Sequence, residues 1–572
     1  MSVPKSFLIL RRPTFTIIFF SISTLFAMAA YASPTVAIIS PKSGLSSGSP
    51  VFFEAYATSD CAKGISAMRI YTAPGVNAFT SSGAHIEHFI TLQDGSYNTA
   101  VQAWDNCGGV SKATVVLTVH STAGVSVFLP DQTSPAWPVH IAASAQNAAC
   151  SAGISALRIY TASGVTPYTI HSNMLDAYIN LVPGNYNLTI QAFDNCGHVL
   201  KSQFAESVTT SPDAYLYGAA TVGQSNKSGI AQLDIASDGT LTNPNGSGGA
   251  PLFVTKSAPN TVAVDPGGWF VYASSAAGIY GFQINRSNGA LESIPGSPFP
   301  LNQHLGDQGP PSIVMDPTGN FIYLVYSGGG SAADGLTTYR IHRSNGALSW
   351  TGWARSFGSI SSGCASVSGA TTNFTGQFVY VNALPDNCNG LKTYGFKADP
   401  DHGFLNTEVP GSPYSVSVDT SFATAPVSTG RYLYLNTGID SEPLSNTFGF
   451  SIDPATGTLA QAEGFPFSSN SIFQMLADWK TRFLWVLYAH EFSVPTIDAT
   501  TGALKAGPFI PQLLSRSSLV EDHTAHFIFL SGEGISAWAV SSDGGTPTLL
   551  NRPNISSLAD VGSMAVARKN PI

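Results

Sequence analysis

Short runs in which apolar and polar residues alternate recur along this chain, the pattern of strands with one buried face. In one run Tyr186, Leu188, Ile190 and Ala192 fall on one side and Asn187, Thr189 and Gln191 on the other. The inward series returns 89 residues earlier as Tyr97, Thr99, Val101 and Ala103. The offset holds beyond these strands. CAKGISAMRIYTAPGV from Cys61 reappears as CSAGISALRIYTASGV from Cys150, and DGSYNTAVQAWDNCGG from Asp94 as PGNYNLTIQAFDNCGH from Pro183. Two tandem β domains are therefore expected, at 33–120 and 121–209.

A different pattern follows. Tyr215-Leu216-Tyr217-Gly218, Phe270-Val271-Tyr272-Ala273, Phe321-Ile322-Tyr323-Leu324, Phe378-Val379-Tyr380-Val381, Tyr432-Leu433-Tyr434-Leu435, Phe483-Leu484-Trp485-Val486 and Phe527-Ile528-Phe529-Leu530 form seven aromatic strands. Their spacing lies in the range that signals propeller repeats. Most follow a small-apolar run and a turn, as in TVAVDPGGW from Thr261 and SIVMDPTGN from Ser312. Each leads to a second strand, several ending in Asn-Gly or Thr-Gly, which supply the positive φ of tight turns. The run SMAVA from Ser563 has no aromatic strand after it, and Tyr215 has no such run before it. Joined, these orphans complete one blade and close a ring, leaving no open sheet edge. The expected fold is all-β: two tandem sandwiches followed by a seven-bladed β-propeller over 210–572.

Composition sharpens this. Only 10% of residues are charged and the net charge is −9, with no Lys/Arg cluster past the first dozen residues, so a nucleic-acid partner is not expected. Lys5, Arg11 and Arg12 precede an apolar run from Phe15 to Ala30, and Ala30-Tyr31-Ala32 fits a signal-peptidase site that would leave Ser33 as the mature start. The alternative is an uncleaved anchor. With 1–32 read as a signal peptide, the protein is expected to be secreted, periplasmic or on the cell surface, without a stable membrane span, and monomeric. Six cysteines in an exported chain suggest three disulfides. Cys61 and Cys107 are 46 apart, as are Cys150 and Cys196, which leaves Cys364 for Cys388. No Cys-x-x-Cys pair points to a metal, and no cofactor is implied.

Leu181-x-Pro183-Gly184-x-Tyr186, echoed by Leu92, Gly95 and Tyr97, resembles the tyrosine corner of immunoglobulin-like sandwiches. The duplicated unit is similar to the bacterial Ig-like domains of exported proteins, which implies a stalk or spacer. FVYA, FIYL, FVYV, the Asp-Pro-x-Gly turns, Ile294-Pro-Gly-Ser-Pro-Phe299 and Val409-Pro-Gly-Ser-Pro-Tyr414 resemble the YVTN-repeat propellers related to 6-phosphogluconolactonase. That resemblance implies a lactonase-like propeller with His, Glu and Arg around a central channel. At the matching places this chain has Pro259-Asn260, Pro310-Pro311 and Phe473-Gln474, with Glu491 displaced from the expected Glu position.

Candidate catalytic groups near a channel mouth are His304 and Asp307, and Glu521, Asp522 and His523; a His–carboxylate pair can serve as general base for water attack on a lactone. Trp350 and Trp353 are candidates for stacking on a sugar or covering a blade edge, and Trp104 and Phe193 for contacts between modules. Two functions are expected from this pattern. One is an exported binding protein taking an unknown protein or carbohydrate ligand. The alternative is a lactonase-like hydrolase acting on a sugar lactone.

Overall fold

The computed structural model describes residues 33–569 apart from 131–132, 135–137, 163–167, 182, 210–212, 223–226, 246–250, 302–308, 328–332, 360–366, 385–388, 420–421, 439–443, 489–490, 512–517, 533, 542–545 and 554–557. The described residues form strands and turns, with no helix.

The two copies of the repeat build the same pair of sheets. In the first, Val51–Thr58 lies between Thr35–Ser40 and His85–Ile90. Against it stands a five-stranded sheet ordered Leu45–Ser47, Val110–Val119, Gly95–Asp105, Ile65–Ala73, Val76–Ser82. The second copy repeats this with Val139–Gln146 between Gly124–Leu129 and Met174–Ile179, facing Thr133–Ser134, Val199–Val208, Gly184–Asp194, Ile154–Tyr160 and Tyr168–Ile170. Alternation decides the core, because successive strand residues point to opposite faces. Thr99, Val101 and Ala103 are buried in one copy and Leu188, Ile190 and Ala192 in the other. The Tyr97 hydroxyl donates to the Gln93 carbonyl at 2.8 Å, the bond expected of the corner motif. Cys61–Cys107 and Cys150–Cys196 are disulfide-bonded; Cys364 and Cys388 lie outside the described residues.

From residue 214 the described residues form seven further sheets of four to six strands, most of them antiparallel meanders, with a two-stranded pair (Thr496–Ile497, Leu504–Lys505) beside the sixth. The first is completed by the C-terminal strand Leu558–Arg568, which pairs with Ala214–Val222. Innermost strands Leu558–Arg568, Val262–Val264, Ser312–Met315, Val367–Thr372, Val427–Ser428, Gln474–Ala477 and Leu519–Glu521 each touch the next, and the last touches the first. That closed ring of radial sheets is a β-propeller.

The repeated residues have identifiable tasks. The turn aspartates Asp265 and Asp522 accept hydrogen bonds from the backbone N–H of the strand that follows, at Phe270 (2.6 Å) and Phe527 (2.8 Å). The tyrosine at the third position of the aromatic strand reaches the glycine of the next sheet's outer turn. Tyr217 donates to Gly289 O, Tyr272 to Gly346 O, Tyr380 to Gly457 O and Tyr434 to Gly502 O, all at 2.7–2.9 Å. Gly289 has φ +73°, and a Cβ there would stand 2.6 Å from the Tyr215 ring. The turn therefore requires glycine for both its backbone and its neighbour.

The repeated domains do not form a spacer. Strand Val51–Thr58 is largely buried on both faces, and its outward residues Phe52, Glu54 and Tyr56 meet other parts of the protein. Tyr56 and His85 pack on Trp269 of the second ring sheet, and Phe52 lies edge-on to His140 of the second module. The second module lies across the axis of the ring. It touches Arg568 of the first sheet through Pro138 O, Thr318 of the third through Tyr178 N, Phe374 of the fourth through Asn180, and Trp479 of the sixth.

Candidate functional site

All these contacts fall on one side of the ring, that of the turns between first and second and between third and fourth strands. Most of the buried charged side chains among the described residues lie there. Glu521, at the end of the innermost strand of the seventh sheet, accepts hydrogen bonds from the Trp479 N–H (2.9 Å) and the Trp485 indole (3.1 Å) and is 1% exposed. Burial, then the neighbouring Asp478 carboxylate, pushes its pKa well above the usual range. Asp478 is in turn bound by Arg482 at 2.6 Å. Asp522 caps its turn through Thr524, His526 and Phe527. His523, beside Trp479, is pushed down to about 3 by burial and by Arg568, so it is neutral at physiological pH. A base needs access to a water and a substrate. Here a buried acid, a turn cap and a neutral imidazole stand under a face that the second module covers.

The strongest electrostatic feature lies where both modules and the ring meet. Glu54 from the first module faces His140 of the second, Oε2 to Nδ1, at 3.2 Å. His85 Nε2 lies 3.3 Å from the other Glu54 oxygen, and its Nδ1 lies 3.2 Å from the Arg343 carbonyl. Arg343, from an outer turn of the third ring sheet, reaches between the modules. Its Nε binds Glu87 at 2.7 Å, and its terminal nitrogen shares Asp176 Oδ1 (2.9 Å) with His140 Nε2 (2.7 Å). The guanidinium also lies over the Tyr178 ring. Burial opposes charge on every member. It raises Glu87 to about 7 against the pull of Arg343. For His140 the Glu54 carboxylate outweighs burial and lifts the ring to about 9. For Glu54, His140 and His85 outweigh it and hold the carboxyl well below its usual range. Glu54, Glu87 and His140 are close enough to share a cation, and Arg343 already supplies one at that point. The arrangement clamps three bodies together.

His304, Asp307 and His490 lie outside the described residues. Glu491 accepts from Asn470 at 3.2 Å. Gln474, standing where a lactonase-like propeller would carry a channel group, is spent on its neighbour: it accepts from Leu519 N–H (3.0 Å) and donates to Leu519 O (3.3 Å), tying two innermost strands. Phe473 beside it is 60% exposed on the uncovered side. Trp353 is buried with its indole on Asn406, whereas Trp350 on the same strand is exposed, its indole donating to the Trp353 carbonyl at 3.3 Å. The junction cluster was missed from sequence. Its signal was an acid in the doubly apolar run VFFEAYAT, which reads as a strand buried on both faces.

No family model and no curated protein matches the sequence. Among solved structures, a candidate 6-phosphogluconolactonase from Bacteroides uniformis ATCC 8492 aligns with 62% of this chain and 100% of its own at 13% identity and a TM-score of 0.47. A second, from Bacteroides fragilis NCTC 9343, aligns with 62% and 97% at 15% identity and a TM-score of 0.46. A hypothetical selenium-binding protein from Sulfolobus tokodaii aligns with 63% and 95% at 8% identity and a TM-score of 0.42. Likeness at this distance carries no argument about activity, and the propeller assignment rests on strand order.

Proposed function

We propose that this chain is an exported binding protein: two Ig-like sandwiches over 33–120 and 121–209, docked on one side of a seven-bladed, lactonase-like propeller over 210–572. Ligand is then taken from the other side. The observation that carries this reading is the use of Glu521, Asp522, His523 and Gln474 in turn caps, strand ties and a covered face, with none left as an accessible base. Two disulfides in the described residues fit an oxidising compartment. The test is proton release from a panel of sugar and aliphatic lactones by the mature protein, residues 33–572. No turnover above background is expected. Turnover abolished by His304→Ala or His523→Ala would make the protein a lactone hydrolase instead.

A further inference from the structure

The five-stranded sheets of the two modules turn one face to solvent, and across each face runs the same row of four side chains. In the first module the cross-strand partners are Thr80, Arg69, Gln102 and Lys112. In the second they are Thr169, Arg158, Gln191 and Lys201, identical in type at an offset of 89. Beside each row stands a parallel one, Trp104 with Val110 and Phe193 with Val199, both valines exposed. Each arginine is set by its neighbours. Arg69 lies 5.2 Å over the Trp104 ring and donates to the Tyr71 hydroxyl at 3.3 Å; Arg158 lies 5.0 Å over Phe193 and donates to Tyr160 at 3.4 Å.

Common descent alone does not account for this. Strands Val110–Val119 (VSKATVVLTV) and Val199–Val208 (VLKSQFAESV) agree at only three of ten positions. Two of those three are the valine beside the aromatic ring and the lysine that ends the row. The remaining outward residues, Thr114, Val116 and Thr118, have become Gln203, Ala205 and Ser207. No described carboxylate pairs with Arg69, Lys112, Arg158 or Lys201, whereas Arg482 and Arg355 each hold one and Arg343 holds two. No Asp or Glu stands on the outward positions of either face. In a chain of net charge −9, these rows are two local islands of positive charge.

We propose that the rows are equivalent binding sites for an acidic polysaccharide. An arginine fork and a lysine suit carboxylates, a glutamine between them suits hydroxyls through both donor and acceptor, and the aromatic edge with its valine suits the apolar face of a sugar ring. Four strands about 4.8 Å apart give a row roughly 14 Å wide, the reach of a short oligosaccharide. A polymer repeating one anionic unit meets the same chemistry at both copies, which accounts for one row kept twice. Two cations per face fall short of the phosphate-tracking surface a nucleic acid requires. This inference rests on the reading of the chain as a binding protein and supplies a ligand class for the modules.

The test is binding of the mature protein to immobilised polygalacturonate, with neutral dextran and single-stranded DNA as comparators. Saturable binding to polygalacturonate that weakens with salt is expected, with little to dextran or DNA. Arg69→Ala with Lys112→Ala should lower affinity by roughly 10²-fold through lost avidity. Adding Arg158→Ala and Lys201→Ala should abolish binding, and unchanged thermal unfolding shows that the variants fold. Equal binding to DNA, no binding to polygalacturonate, or binding indifferent to the four substitutions would overturn the proposal. Lactone turnover with the rows still binding would sink the proposed function and leave the rows standing. Binding that is absent while turnover is also absent would sink the rows alone.

Discussion

Each module has two outward faces with opposite histories. On the three-stranded sheets, Phe52, Glu54, Tyr56, Glu87 and Phe89 of the first module correspond to His140, Ala142, Ser144, Asp176 and Tyr178 of the second. Glu87 and Asp176 stay acidic and Phe89 and Tyr178 stay aromatic, while the other three pairs change chemistry. On the five-stranded sheets, one water-facing row of four, Thr-Arg-Gln-Lys, is the same in both, although outward residues beyond it have changed. Surface positions away from special contacts usually tolerate change within about 0.5 kcal/mol, so a solvent-facing row should drift faster than a buried face. Here the buried faces drifted. They did so because each meets different surroundings: the first packs on Trp269 of the ring and on His140 of its twin, the second on turns of several ring sheets. Duplicated faces that bury against unlike partners must diverge. Duplicated faces that stay alike in solvent are held by something the two share.

The comparison is most easily broken with two arginines. Arg343→Met removes the cation that Glu87 and Asp176 share and leaves Glu87 buried, and Asp176 partly buried, without it. Stranding buried charge in this way is expected to lower stability by about 5 kcal/mol. Arg69→Met removes a guanidinium that bonds only hydroxyls at a half-exposed site, and should cost about 0.5 kcal/mol. Denaturant midpoints of the two variants measure the difference. Equal losses would mean that the clamp at the junction is no more structural than the row.

Much of this was legible in the chain. The period-two runs placed Leu188, Ile190 and Ala192 in a core, the orphaned run Ser563–Ala567 found its partner in Ala214–Val222, and the cysteine spacing paired two of the three couples. Those features are local or repeat at a fixed interval. The junction was not legible, because Glu54, His85, Glu87, His140, Asp176 and Arg343 come from five separate strands and turns. Only docking brings them together. The burial of Glu521 was hidden for a related reason. An acid followed by another acid and a histidine before a turn resembles solvated loop charge until Trp479 and Trp485 close over it.

The junction also carries a pH dependence. Glu87 is raised to about 7 in the fold from an ordinary value near 4.5, and His140 to about 9 from 6.5. Both pKa values are raised by folding, so each group's stabilisation is present below its unfolded pKa and is lost as pH rises through the folded one. Glu54 and Asp176 are lowered and act oppositely, stabilising above their unfolded values and losing that contribution in acid. Thermal stability should therefore be highest near pH 4.5 and fall from there to about pH 9, through Glu87 up to pH 7 and through His140 between pH 6.5 and pH 9. His140→Phe, which writes the first module's Phe52 chemistry into the second, should flatten the alkaline part of that fall. A melting temperature that rises from pH 7 to pH 9 in the wild type would remove the junction's titration from the account.

The smallest effect sharpens the comparison most. Thr114→Gln places the second module's Gln203 at the same outward position of the first, one row away from Arg69, Gln102 and Lys112. The side chain is solvent-facing and its counterpart already tolerates glutamine, so stability should stay within about 0.5 kcal/mol and polygalacturonate affinity should not move. Gln102→Thr changes a neighbouring outward position to a residue equally suited to strands. Stability should again hold, yet the amide between arginine and lysine is gone and affinity should fall several-fold. The two variants alter the same face by similar volumes in strands hydrogen-bonded to each other. If they change affinity alike, position within the row has no meaning, and the identity of the two rows is left without a physical cause. If only Gln102→Thr weakens binding, the solvent face is under tighter chemical constraint than the buried one, because its partner is a ligand and not another part of the chain.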